Sequence, residues 1–269
     1  MGEPWVPLRS SVVARALTIA TSDSGGGAGI QADLKAFAAA GVHGMSVIVA
    51  LTAQNTTAVT AIHELPPEFV RAQLDAVFSD IGVDAAKTGM LFTHRLIDAV
   101  ADYLAEHPVP LVVDPVMVAS SGAKLLADDA VSTLVGRLFP LATVVTPNLH
   151  EAVALAGFPG TRRELAERLH ELGAPAVVVT GGHGATAVDH LFDGVRHVEI
   201  PVARHDVAAT HGAGCTHSAT LAALLARGRT LEEAARGAAV AASEAVRHGL
   251  PELGAGDGPV DVLNVKGAR

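Results

Sequence analysis

The chain has 269 residues, 49% of them apolar, with a formal net charge of −9 and a pI near 5.8. That balance excludes a disordered chain and a general nucleic-acid binder, which would carry a basic face. Its single cysteine, Cys215, excludes an intrachain disulfide and fits a reducing compartment. No apolar run approaches the roughly 18 uncharged residues of a membrane span, and the run from Ser10 to Ala20 is broken by Arg15, so a cytoplasmic location is expected. Small polyanions remain admissible, because backbone N–H groups and a metal ion can hold a phosphate without a basic patch.

Residues 1–15 read as an N-terminal tail, its first nine polar and Pro-containing, and 16–269 as one domain, since no repeat or linker divides them. Short β-branched runs at 16–20, 46–51, 84–87, 111–114, 143–146 and 176–180 alternate with helix-period stretches at 28–40, 67–78, 94–106, 128–138 and 161–172. Thr161-x-x-Glu164 and Thr230-x-x-Glu233 are capping boxes, and Asp193-Gly194 marks a hairpin. Continuous apolar strands such as Leu111-Val-Val and Val177-Val-Val predict burial on both faces. The expected fold class is therefore α/β, a doubly wound, mostly parallel sheet with helices on both faces.

In such folds ligands gather beyond the carboxyl ends of the strands, and the unusual residue clusters fall there. Asp23 to Gly29 is Gly-rich but lacks the Gly-Lys-Ser/Thr of a P-loop, and Ile30 breaks the dinucleotide spacing. It allows close backbone approach to a ligand, or serves only as a flexible turn. Asp114-Pro115 offers a metal-side carboxylate or a turn. Asn148 and Glu151, three apart as a helix begins, suit a hydrated Mg²⁺ or an N-cap with its partner. Gly182 to Ala187 precedes a strand and not a helix, which leaves a turn near a nucleotide or a plain turn. The 13 histidines show no zinc spacing.

The most informative stretch is His211-Gly-Ala-Gly-Cys-Thr216. It reads as a small-residue turn over 211–214 followed by an Ala-rich helix from Cys215. Free N–H groups at the positive end of a helix dipole make an anion site, and the same field should lower the Cys215 thiol pKa. An anion cradle beside one acid/base is what phosphoryl transfer to a hydroxyl needs. The alternative is a helix start with a buried cysteine.

Together with Ser22 to Lys35, Ala53-Gln-Asn-Thr56, Lys87-Thr-Gly-Met-Leu91, Val113-Asp-Pro-Val-Met-Val118, Thr146-Pro-Asn148 and Gly181-Gly-His183, that stretch resembles the hydroxymethylpyrimidine/phosphomethylpyrimidine kinases of thiamine biosynthesis, ribokinase-like proteins. The motifs occur in family order over roughly 16–250. The resemblance implies transfer of the ATP γ-phosphoryl group to a primary alcohol of an aminopyrimidine, then a second transfer to the monophosphate. It implies ATP and Mg²⁺ as cofactors and a homodimer, with no nucleic-acid or membrane partner. By match to the family motifs, Cys215 is the base, with Gly212, Ala213 and Gly214 as the anion hole. Thr21, Asp23, Gln54, Met90 and Val116 line the substrate site. Asn148, Thr180 and Gly182 face ATP, and Asp114 and Glu151 the metal. Three positions depart from the pattern. Thr21 replaces Gly, which crowds the ligand or adds a hydroxyl contact; Ser120 replaces Lys, which puts ionic help in the second transfer in doubt; Ala213 replaces Thr. Pyridoxal kinases of the same fold are the nearest rival, with Gln54 favouring the aminopyrimidine. A non-catalytic pyrimidine-binding regulator is the rival of another class.

Overall fold

The structure, a computed structural model, describes residues 13–117, 128–182 and 187–267. Six apolar strands form its parallel centre. β1 (Arg15–Asp23) pairs in parallel with β2 (His43–Gln54) on one side and β4 (Ala85–Thr88) on the other, followed by β5 (Leu111–Val113), β6 (Val144–Val145) and β7 (Val177–Val179). Antiparallel strands close both ends of this nine-stranded sheet: β3 (Val59–Glu64) beside β2, and β8 (Val188–Phe192) with β9 (His197–Pro201) beside β7. β3 is half exposed, an edge strand whose mixed polarity hid it from the sequence pattern.

Strand side chains alternate between faces, so each buried run feeds two cores. Leu17, Ile19, Leu111, Val113, Val177 and Val179 join the cluster under α2 (Pro67–Ala76), α3 (His94–Glu106), α4 (Asp128–Leu138), α5 (Leu149–Ala156) and α6 (Arg162–Glu171). Ala16, Val112, Val144 and Val178 join the opposite cluster under α1 (Gly29–Ala39), α7 (Ala213–Ala226) and α8 (Leu231–Arg247). Helices thus cover both faces, as expected.

Both capping boxes form, Thr161 with Glu164 and Thr230 with Glu233. The hairpin turns at Asp193, whose Oδ1 accepts from the Val195 and Arg196 amides, with Gly194 at φ 87°. Several boundaries move; β2, expected over 46–51, runs from His43 to Gln54. Of the expected tail, residues 1–12 lie outside the described residues, and Arg15 already belongs to β1, its guanidinium on Asp84. α7 begins at Ala213, two residues earlier than expected, because Gly212 takes a left-handed N-cap conformation.

Candidate active site

The carboxyl ends of β1, β2, β4, β5, β6 and β7 open into one cleft of about 1220 Å³, and every residue the sequence singled out for the site lines it. Two glycine loops form one wall. The Asp23 carboxylate, buried at the end of β1, accepts from the amides of Gly25 (2.8 Å), Gly27 (3.0 Å) and Ala28 (2.8 Å). His211 Nε2 lies 3.3 Å from its Oδ2. Burial works to raise the Asp23 pKa, but these donors outweigh it and hold the group below the usual carboxylate range. Asp23 therefore shapes the loop; its oxygens are engaged by protein donors. The Thr21 hydroxyl likewise donates to the Met90 carbonyl at 3.1 Å, so it is already engaged within the protein.

The second loop presses against the first. Gly212 has φ 85°, and a Cβ there would lie 1.9 Å from the Gly27 carbonyl oxygen, so only glycine fits. Ala213, at the first position of α7, donates its N–H to the Thr210 carbonyl at 3.0 Å. That bond takes one amide from the cradle expected over 212–214. Ala213 is satisfied locally, and the first-turn amides of Gly214 and Cys215 are the ones directed along the helix start. Gly214 has open space where its Cβ would be.

Charged groups form the floor. Lys87, on β4, is fully buried with Nζ 2.9 and 3.0 Å from the two Asp33 oxygens and 3.5 Å from Asp114 Oδ2. Thr18 Oγ1 donates to Asp33 (2.6 Å) and Ser218 Oγ to Asp114 (2.8 Å). Above them, burial pushes the Cys215 thiol up to about 12, against the pull of Lys87, with Asp33 and Asp114 adding to the rise. The expected lowering by the helix field is corrected: desolvation outweighs the dipole, and the thiol is neutral at pH 7.

Beyond β6, the Asn148–Glu151 capping box is formed. Asn148 Oδ1 accepts the Glu151 amide (3.0 Å) and Glu151 Oε2 the Asn148 amide (2.9 Å). Burial, and then the charge of Asp114, raise the Glu151 pKa to about 8. Among the described residues no three His, Cys, Asp or Glu side chains converge as a metal cage. Thr180 donates its N–H to the Pro147 carbonyl (2.9 Å), tying the end of β7 to the Asn148 loop, and Gly182 follows at the cleft edge. Gly181 N–H donates to Asp189 Oδ1 at 2.6 Å. At the other end, Gln54 Oε1 accepts from Thr52 Oγ1 (3.2 Å), and its backbone N–H and C=O both meet Ser24 Oγ. Met90 is buried and Val116 half-buried beside it. Ser120 and His183 lie outside the described residues.

The chain matches the family described as phosphomethylpyrimidine kinase over residues 23–261. It belongs to that family. A hydroxymethylpyrimidine/phosphomethylpyrimidine kinase of Rhizobium meliloti is 50% identical, covering 93% of this chain and 97% of its own. Among solved structures, an ADP complex of Bacillus subtilis pyridoxal kinase is 38% identical with a TM-score of 0.86, covering 94% of this chain and 99% of that one. A phosphomethylpyrimidine kinase from Clostridium difficile 630 is 39% identical with a TM-score of 0.77, covering 86% and 99%. The phosphomethylpyrimidine kinase match runs from Asp23 in the first glycine loop past His211 to Asp261, so it spans both halves of the cleft wall.

Sequence reasoning quoted Lys87, Asp33 and His211 within its motifs but gave none of them a role in this site. The available signal was charge in apolar company: Lys87 follows Val83-Asp-Ala-Ala86, and Asp33 sits on the buried stripe of α1.

Proposed function

We propose that this kinase transfers the γ-phosphoryl group of ATP to the hydroxymethyl oxygen of 4-amino-5-hydroxymethyl-2-methylpyrimidine, and then a second one to the monophosphate, for thiamine biosynthesis. In each step a P–O bond forms to the acceptor oxygen as the β–γ bridging P–O bond breaks and ADP leaves. The carrying observation is the pairing of an open helix N-terminus at Gly214–Cys215 with an amide-and-methionine pocket at Gln54 and Met90 in one cleft. The amides stabilise the transferring phosphoryl charge, with Gly212 and Ala213 setting their direction. Gln54 reads the amino edge of the ring, between Met90 and Val116. Thr21 and Asp23 fix that pocket through Met90 and the glycine loop.

Cys215 accepts the alcohol proton. A loose transition state requires this only late, and the Lys87 charge works against burial to make the thiolate reachable. ATP lies toward Asn148, Thr180 and Gly182. Asp114 and Glu151 fit Mg²⁺, since the Asp114 repulsion that adds to burial in raising Glu151 is what a divalent cation relieves, and Mg²⁺ keeps most of its waters on one or two carboxylates. When bound, it would neutralise charge on the phosphates.

The likeness to pyridoxal kinase favours a second reading, pyridoxal as acceptor in the same cleft. The deciding assay sets hydroxymethylpyrimidine, its monophosphate and pyridoxal side by side with ATP. Highest kcat/KM on the first two supports the proposal; preference for pyridoxal replaces it, and no turnover on any acceptor returns the chain to a binding role. A cytoplasmic homodimer completes the reading, with sedimentation velocity as its test. No helix among the described residues is long and apolar enough to cross a membrane.

A further inference from the structure

Among the described residues, Lys87 is the one buried cation whose partners reach from the core into the cleft. Its side chain has no exposure, a position that is unfavourable for a charge without close partners. Asp33 of α1 grips the ammonium with both oxygens, and the Thr18 hydroxyl braces Asp33 from β1. The same ammonium stands 3.5 Å from Asp114 Oδ2, beyond the end of β5, where Ser218 of α7 also donates. One cation is thus shared unequally between a carboxylate that does not line the cleft and one that does.

We propose that Lys87 is a positioning residue for phosphoryl transfer: shared between Asp33 and Asp114, it sets the orientation and effective charge of the Asp114 carboxylate that faces the metal-bound nucleotide. The inference rests on the kinase reading above. Asp33 acts as ballast, since the charge it takes from Lys87 is charge that Asp114 keeps for a cation. The arrangement has a signed consequence. Removing the Asp33 charge delivers the whole ammonium to Asp114 and should weaken Mg²⁺ there. Removing both Asp33 charge and Lys87 leaves Asp114 uncompensated and should strengthen it.

The test is calorimetric titration with Mg²⁺·ADP and with metal-free ADP, on wild type, Asp33→Asn and the double variant Lys87→Met/Asp33→Asn. The double variant avoids stranding one buried charge. Asp33→Asn should weaken Mg²⁺·ADP about fivefold or more relative to metal-free ADP, and the double variant should move that ratio the other way. A pair that only holds the core together would change the melting temperature and leave the ratio alone, so shifts below about twofold in both variants overturn the proposal. If the double variant does not fold, Asp33→Asn decides by the same threshold. The readout needs no turnover. A shifted ratio without activity on the aminopyrimidine would sink the substrate reading alone, while normal activity with an unshifted ratio would sink this one.

Discussion

The two glycines of the cradle separate structure from chemistry, because the same added methyl meets opposite surroundings two residues apart. At Gly212 an alanine must hold φ near 85°, which costs an L-residue about 1–2 kcal/mol. Its methyl would also strike the Gly27 carbonyl, so the two loops must part. For a chain of this size that strain alone lowers Tm by about 2–8 °C. Loop displacement of an ångström at a reacting centre costs about 10² in rate. At Gly214 the methyl enters open cleft in a helical residue, where alanine is favoured over glycine by about 0.5–1 kcal/mol. Gly214→Ala should therefore keep or raise Tm while losing kcat by about tenfold or more, as the methyl crowds the anion position. Differential scanning calorimetry and steady-state kinetics on both variants give the answer. Equal Tm losses, or full kcat in Gly214→Ala, would refute the cradle as described.

The remaining expectations use the titrating groups and the pocket. With the Cys215 thiol moved from 9.0 to about 12, ligand-free protein should alkylate with iodoacetamide about a thousandfold more slowly at pH 8 than a free thiol; an ordinary rate there contradicts the burial argument. Cys215→Ala should lower kcat at least about tenfold, and a wild-type rate from pH 6 to 9 would make the cysteine packing only. Glu151 binds its proton more tightly folded than unfolded, so it removes stability as pH rises from 4.5 toward about 8. Metal-free Glu151→Gln should thus match wild type near pH 5, melt higher at pH 8, and need more Mg²⁺ for turnover; parallel melting curves at both pH values would count against it. Gln54→Met should raise KM for the aminopyrimidine about tenfold with the KM for ATP little changed, and equal rises in both would remove Gln54 from ring recognition.

Much of this architecture was readable from local pattern. The helix over 94–106 has the bounds its periodicity indicates, the next ends at Leu138 as expected, and Leu111-Val-Val and Val177-Val-Val are buried on both faces as uninterrupted apolar runs should be. What escaped depends on depth or on distance along the chain. Lys87 and Asp33 are 54 residues apart, so their pairing leaves no spacing to read. The Cys215 shift has a sign set by how far the helix start is sunk, which a sequence does not carry. α7 begins at a left-handed glycine in place of a Ser, Thr, Asp or Asn cap, so its true first residue looked like loop. Asn148 and Glu151 show the opposite case: the capping box their spacing offers is formed, at the cleft wall.

The clasp between the glycine loops also governs how the protein is born. Asp23 and His211 stand 188 residues apart, and all nine strands precede residue 202, whereas α7 and α8 follow it. During synthesis the sheet therefore emerges first, and α7 and α8 last. A chain halted before α7 would own a sheet whose Ala16, Val112, Val144 and Val178 face lacks its α7 and α8 cover. Interrupted translation should therefore leave an apolar sheet face open to association and proteolysis.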